Sequence, residues 1–228
     1  MRIIELPIEF EFNEQTNRIY PSLIVMGSEL TLVDTGYPNF MPLIESEIVR
    51  HGFELENLKN IIITHFDDDH IGSLYDFKEK YPSVRLIASG IEAPSIRGER
   101  KSERLMQAEA MLETMPEGEK EFGHWFIQQL TTLKTVEIDE KVSDGDLILQ
   151  NQCKIIATPG HTSGHISLYF PALKSVITGD AAICEHRQLE VANPHFCLDL
   201  EKAEQSLENL RALKATTYYC YHGGTFNS

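Results

Sequence analysis

Four times in this chain a β-like apolar run halts on histidine or aspartate: "NIIITHFDDDHIG" (residues 60–72), "CKIIATPGHTSGH" (153–165), "SVITGD" (175–180) and "TTYYCYHGG" (216–224). A buried strand needs apolar side chains and the turn after it needs polar ones, so one such stop reads as an ordinary turn. Four stops built from the same two residue types ask for a fold that brings distant strand ends together. The first is also the most acidic. Asp67, Asp68 and Asp69 stand in a row between His65 and His70. Carboxylates so crowded repel one another unless a cation neutralises them. An acidic helix N-terminus accounts for one or two of these aspartates through the helix dipole, but for neither histidine.

The segments between the stops read as alternating elements. "IIELPIEFEF", "RIYPSLIVM" and "LTLVDTG" are strand-like and predict antiparallel pairing. "NFMPLIESEIVRHG" reads as a helix, "NIIITH" as a buried strand, "IGSLYDFKEKYP" as one further helix and "VRLIAS" as the next strand. Residues 100–131 change character, with two amphipathic helical patterns separated by Pro116 and Gly118. The second sets Phe122, Trp125, Phe126 and Leu130 on one face. Strand patterns return in "TVEIDEKV", "DLILQ", "CKIIATPG", "HISLYF" and "SVITGD", followed by a helix over about 199–214 and the closing strand "TTYYCYHGG". Two β-rich halves, each finishing with helix and strand, predict an α+β chain forming one domain over residues 1–228. Its expected form is a four-layered sandwich, sheets face to face and helices outside, with a helical insert at about 100–131.

Taken in order, "THFDDDHIG", "TPGHTSGH", "TGD" and the strand-end His222 resemble the motifs of the metallo-β-lactamase-fold hydrolase superfamily, and "LVDTG" with Asp34 resembles its first motif. The likeness runs from about residue 23 to 224 and implies an αβ/βα sandwich with two divalent metal ions between the sheets. It implies that His65, Asp67 and His161 hold the first ion, that Asp69, His70 and His222 hold the second, and that Asp180 bridges them. Imidazole and carboxylate suit zinc, iron or manganese, with zinc the first expectation. The departure from the family lies at Asp67, which makes the first motif HxDxDH where HxHxDH is usual. With Asp67, Asp69, Asp180 and one hydroxide, two divalent ions reach formal neutrality, which opens the site to iron or manganese. Asp34 and His165 are expected to support ligands by hydrogen bonds, and Asp68 to face solvent.

The chemistry so implied is hydrolysis by a metal-bridged hydroxide, with Asp69 and Asp180 as catalytic carboxylates and Asp69 also taking the proton. No GxSxG elbow offers a rival nucleophile. A net charge of −15 opposes docking on nucleic acid or anionic lipid. No apolar run approaches the roughly 20 residues of a membrane span. "MRIIELPIEFEF" lacks a signal peptide's apolar core, so the expected location is cytoplasmic. Cys153, Cys184, Cys197 and Cys220 contain no CxxC pair and are expected to be reduced core thiols. These exclusions leave a small-molecule ester, lactone or thioester as the substrate class. Only six residues follow His222, which leaves no room for the C-terminal helical domain of glyoxalase II. The insert, with Met106, Met111, Met115 and its aromatic face, is expected either to cap the cleft or to pack at an edge or in a homodimer. His186 and His195 are candidates for the rim of the site, while His51 and His124 fall on helices. The alternatives are a di-iron oxygen or nitric oxide reductase-like protein, which shares an acidic residue at position 67, a phosphodiesterase, and a metal-stabilised binding protein.

Overall fold

Pro7 and Pro21 interrupt what reads as two long N-terminal strands, because proline supplies no N–H to a ladder. In the computed structural model, which describes residues 1–12 and 15–228, each of the two is divided. The chain opens with β1 (Arg2–Glu5), β2 (Ile8–Phe12), β3 (Gln15–Ile19), β4 (Ser22–Met26) and β5 (Glu29–Val33). Next come α1 (Met41–Arg50), β6 (Leu58–Ile63), the short α2 (Asp68–Ile71), α3 (Leu74–Lys80), β7 (Arg85–Ser89) and α4 (Ala93–Ile96). The insert is α5 (Glu103–Thr114) and α6 (Lys120–Thr132). The second half holds β8 (Glu140–Val142), β9 (Leu147–Ile148), β10 (Cys153–Ala157), β11 (Ile166–Phe170), β12 (Ser175–Gly179), β13 (Ile183–Glu185) and β14 (Gln188–Glu190). It closes with α7 (Leu200–Ala212), β15 (Thr217–Cys220) and β16 (Gly224–Asn227).

Two six-stranded sheets result, in the orders β1-β4-β5-β6-β7-β8 and β16-β15-β12-β11-β10-β9. Strands β5 to β8 run parallel, as do β12 and β15, and a helical crossover precedes each of β6, β7 and β15. The period of two along β6 sorts its isoleucines. Ile62 faces the second sheet with Val33, Ile155, Leu168 and Ile177, while Ile61 and Ile63 face outward among Ile44, Ile48 and Phe77. A third cluster packs Leu207 and Leu210 of α7 on Val176 and Tyr218, outside the second sheet. The layers are therefore helix, sheet, sheet and helix, as the sequence pattern predicts.

Three expectations need correction. The helix over 71–82 is broken, because Gly72 lies against the Tyr37–Pro38 backbone and Ser73 Oγ accepts from the N–H groups of Phe40 and Met41 while donating to the Tyr37 carbonyl. Only Glu140–Val142 of "TVEIDEKV" forms a strand; just before it, the Asp139 carboxylate accepts from the Leu86 N–H at 2.8 Å, where a ladder would have continued. Of the cysteines, Cys153 and Cys220 are buried thiols as expected, but Cys184 and Cys197 are only half-buried. No helix of the described residues is long and apolar enough to cross a membrane.

Candidate metal centre

Each expected ligand leaves the C-terminal end of a strand or the turn just beyond it. His65 follows β6, and Asp67 opens α2, which carries Asp69 and His70; His161 follows β10, Asp180 follows β12 and His222 follows β15. Strand ends of an open sheet present side chains to a crevice without interrupting a ladder. Gly179 is required for this. It adopts φ +52°, and a Cβ there would lie 2.7 Å from His165 Nε2 and 2.9 Å from Thr64 Cβ.

The side chains gather in two halves. In the first, Asp67 Oδ2 lies 3.4 Å from His65 Nε2 and 3.0 Å from His161 Nε2. In the second, Asp69 Oδ2 lies 3.2 Å from His222 Nε2 and 3.6 Å from His70 Nε2. Asp180 stands between them, with Oδ1 3.3 Å from His70 Nε2 and Oδ2 3.5 Å from both His161 Nε2 and His222 Nε2. The groups His65–His161–Asp180 and Asp69–His70–His222 each bring one ligand atom per residue within 4.8 Å of the others. His65 Nε2, His70 Nε2 and Asp180 Oδ1 are buried and make no hydrogen bond with described residues. Polar atoms converging unpaired in a buried place carry a large desolvation cost unless a cation joins them. The electrostatics of the cluster agree. Burial works to lower the His161 and His222 imidazoles, yet the surrounding carboxylates push them up to about 9 and about 10. The residues present fit a pair of divalent cations. A cavity of about 320 Å³ opens onto them, its mouth formed by Tyr37, Asp68, Phe126, Ile183, Asn193 and Phe196.

A family model described as the metallo-beta-lactamase superfamily matches residues 19–222. The chain belongs to this superfamily. A probable metallo-hydrolase of Bacillus subtilis, YflN, is 27% identical over 210 residues, 84% of this chain and 74% of that protein. A hydroxyacylglutathione hydrolase of Brucella anthropi is 51% identical, but over 90 residues, 37% of this chain and 32% of that enzyme. Among solved structures, a metallo-beta-lactamase family protein of Thermus thermophilus superposes with a TM-score of 0.72 at 22% identity, covering 99% of this chain and 74% of the other. That likeness carries the fold.

Behind the superfamily's strand-end motifs sits a layer of buried groups. Asp34, itself at φ +63°, places Oδ2 2.9 Å from His70 Nδ1 and accepts from the Thr64 N–H and hydroxyl. His165 Nε2 accepts the Asp180 N–H at 2.9 Å, and its Nδ1 meets Thr158 Oγ1 at 2.8 Å. Burial and the neighbouring His65 and His161 hold the His165 imidazole well below its usual range, so it is neutral and orients Asp180 rather than charging it. Both residues take the supporting places expected of them. Asp68 does not face solvent as expected. It is half-buried beside the cavity, and burial plus Asp69 and Asp67 push its carboxyl up to about 7. Neither His186 nor His195 lines this cavity.

Two residues escaped the sequence reading. Glu92, 4% exposed, accepts from the Phe66 N–H at 3.2 Å, the Thr162 hydroxyl at 2.6 Å and the Gly164 N–H at 3.1 Å, so one carboxylate ties the His65–Asp67 turn to the His161 turn. Burial pushes that carboxyl up to about 7 from 4.5. The folded state therefore prefers the protonated form. This contribution to stability is complete below about pH 4.5 and is lost as pH rises to about 7. In metal-free protein, Glu92→Gln is expected to flatten the dependence of the urea midpoint on pH across that window by an amount on the order of 2 kcal/mol. An unchanged profile would show that another group titrates there.

The second is Arg104, 3% exposed, in the first turn of α5. Its Nε lies 3.0 Å from both Asp67 oxygens, and its Nη2 lies 2.6 Å from Oδ2 and 3.0 Å from His161 Nε2. Its Nη1 donates to the Phe196 carbonyl and Gln107 Oε1. Burial works to raise the Asp67 carboxyl, but Arg104, with His65 and His161, holds it well below the usual carboxylate range. The formal neutrality expected from Asp67 is thereby corrected. Arg104 adds one positive charge beside Asp67, so a centre holding two divalent ions and a hydroxide would carry the charge that a histidine at position 67 would have left. The argument for iron or manganese from charge alone loses its basis. Arg104 lies in "ERKSER", the charged start of the first amphipathic pattern of the insert, where Ser102, whose Oγ accepts the Leu105 N–H at 3.1 Å, marks a helix start.

Proposed function

We propose that this protein is a metal-dependent hydrolase of small-molecule carboxylic esters, lactones or thioesters that bear an uncharged apolar substituent. The observation that carries the reading is the pair of ligand groups joined through Asp180 at the floor of an open cavity. His65, Asp67 and His161 would hold one ion, Asp69, His70 and His222 the other, with Asp180 shared. Bound there, divalent metals lower the pKa of coordinated water towards neutrality and polarise a carbonyl oxygen. Asp69, which lines the cavity with Oδ2 3.2 Å from His222 Nε2, would take the proton from the attacking water. His165 and Asp34 keep Asp180 and His70 in register, while Phe126 and Phe196 supply apolar lining to the cavity.

A second cavity of about 360 Å³ adjoins the first, sharing Tyr37, Asp68 and Phe126 with it. Its walls are largely aromatic: Phe10, Phe12, Phe40, Phe122 and Trp125. Among the described residues its lining contains no cation, and Arg104 in the first cavity is fully engaged. Such walls favour an alkyl or aryl tail and disfavour a carboxylate-bearing carrier such as glutathione. Trp125→Ala is expected to raise KM for a long-chain ester roughly tenfold, with little effect on kcat or on a short-chain ester. Equal effects on both chain lengths would remove the tail from this cavity.

The function itself is tested by measuring bound metals and assaying lactones, thioesters, esters and phosphodiesters with and without chelator. Chelator-sensitive hydrolysis confined to carbonyl substrates is expected. Hydrolysis that survives complete metal removal would defeat the reading, as would activity on phosphodiesters alone.

A further inference from the structure

The first turn of α5 is fastened to both ligand turns. Glu103 accepts the Ser163 N–H at 3.0 Å and its hydroxyl at 2.6 Å, beside His161. Arg104 grips Asp67 from the adjacent position. A cation so near a helix N-terminus opposes the helix dipole, so helix stability does not explain Arg104 there. Its surroundings do explain it: a buried carboxylate satisfied on both oxygens, a backbone carbonyl, a glutamine oxygen and the Phe196 ring 5.7 Å away. The guanidinium also stands 3.0 Å from His161 Nε2, a proposed ligand atom of the first half. Among the described residues, the second half contains no such cation. Behind His70 stands instead the Asp34 carboxylate, and Tyr221 packs on the His70 ring with centroids 3.9 Å apart.

We propose that Arg104 is the resident counterion of Asp67, so that the His65–Asp67–His161 half takes its metal against a fixed positive charge and fills after the Asp69–His70–His222 half. The inference rests on reading these residues as metal ligands. Arg104 acts as a positioning residue: it holds Asp67 in place when no metal is bound and lowers the affinity of the first half when one arrives. Two consequences follow from the charge. The two halves differ in affinity by at least roughly tenfold, and the difference depends on the charge at position 104 rather than on its bulk. The buried carboxylate is tolerated in the metal-free protein because Arg104 already compensates it.

The test is titration of chelator-stripped protein with zinc alone, in competition with a chromophoric chelator. Wild type is expected to take up two equivalents in two steps at least roughly tenfold apart, and His222→Ala is expected to remove the tighter step. Arg104→Gln, which keeps hydrogen bonding to Asp67 without the charge, should tighten the weaker step by roughly tenfold. Arg104→Lys, which keeps the charge, should preserve the separation. Two equal steps in wild type, loss of the weaker step in His222→Ala, or identical shifts in the Gln and Lys variants would each overturn the proposal while leaving the metal-ligand reading intact. Failure of wild type to bind any zinc would overturn both. The wild-type and His222→Ala titrations decide the matter even if Arg104→Gln does not fold.

Discussion

Asp180→Ala is expected to lower kcat/KM by at least about three orders of magnitude and to reduce the metal bound per chain. Of the histidines, Asp67 meets His65 and His161 of the first half and Asp69 meets His70 and His222 of the second, whereas Asp180 reaches His70 with one oxygen and His161 and His222 with the other. Removing it deprives both halves at once. Because Asp180 lies after β12 rather than inside it, the sheet should survive, and circular dichroism should match wild type. Steady-state kinetics together with metal analysis checks this. Activity within tenfold of wild type would take Asp180 out of the reacting centre.

A large effect on stability is expected from Gly72→Ala. The added Cβ would lie 2.2 Å from Pro38 N, 2.3 Å from the Tyr37 carbonyl carbon and 2.4 Å from the Asp68 carbonyl oxygen. All three are backbone atoms and have no rotamer by which to withdraw, so the α2–α3 junction must move away from the Tyr37–Pro38 loop. That displacement drags His70 from Asp34. A cost above about 4 kcal/mol is expected, a large part of the total stability of a domain this size. Soluble yield and the urea midpoint measure it, and a midpoint equal to wild type would show that the junction yields to the added methyl without cost.

The fold was legible where periodicity is strict. Ile61, Ile62 and Ile63 between polar flanks mark a strand buried on both faces, and the structure sorts them to opposite sides. The ligand candidates were legible because each sits in a short motif at a strand end. What stayed hidden depends on contacts between distant segments. Arg104 meets a partner 37 positions away and Glu92 one 70 positions away, and nothing local separates a buried charge from a solvated one. Asp68 was misjudged for the same reason: its neighbours in sequence are acidic, but its burial comes from the loop at Tyr37 and from α6. The break at Gly72 likewise comes from a backbone 34 positions earlier, pressed against a helix that its own sequence would have continued.

The aromatic cavity has a consequence for how such a chain can diversify. Its walls come from β2, the loop before α1, α6 and Asp68 of α2, and of these only Asp68 belongs to the strand-end motifs. On the proposed reading, selectivity and chemistry would be written on separate stretches of chain. Trp125 touches Phe12, with ring centroids 5.8 Å apart, so the hairpin and the insert meet one another over the cavity rather than over the carboxylates. Mutations at Phe12, Phe122 or Trp125 can redraw the shape of the tail that fits while the histidines beneath keep their hydrogen bonds. The same reacting centre could serve many substrates through changes confined to a handful of aromatic positions, with no penalty to its own geometry.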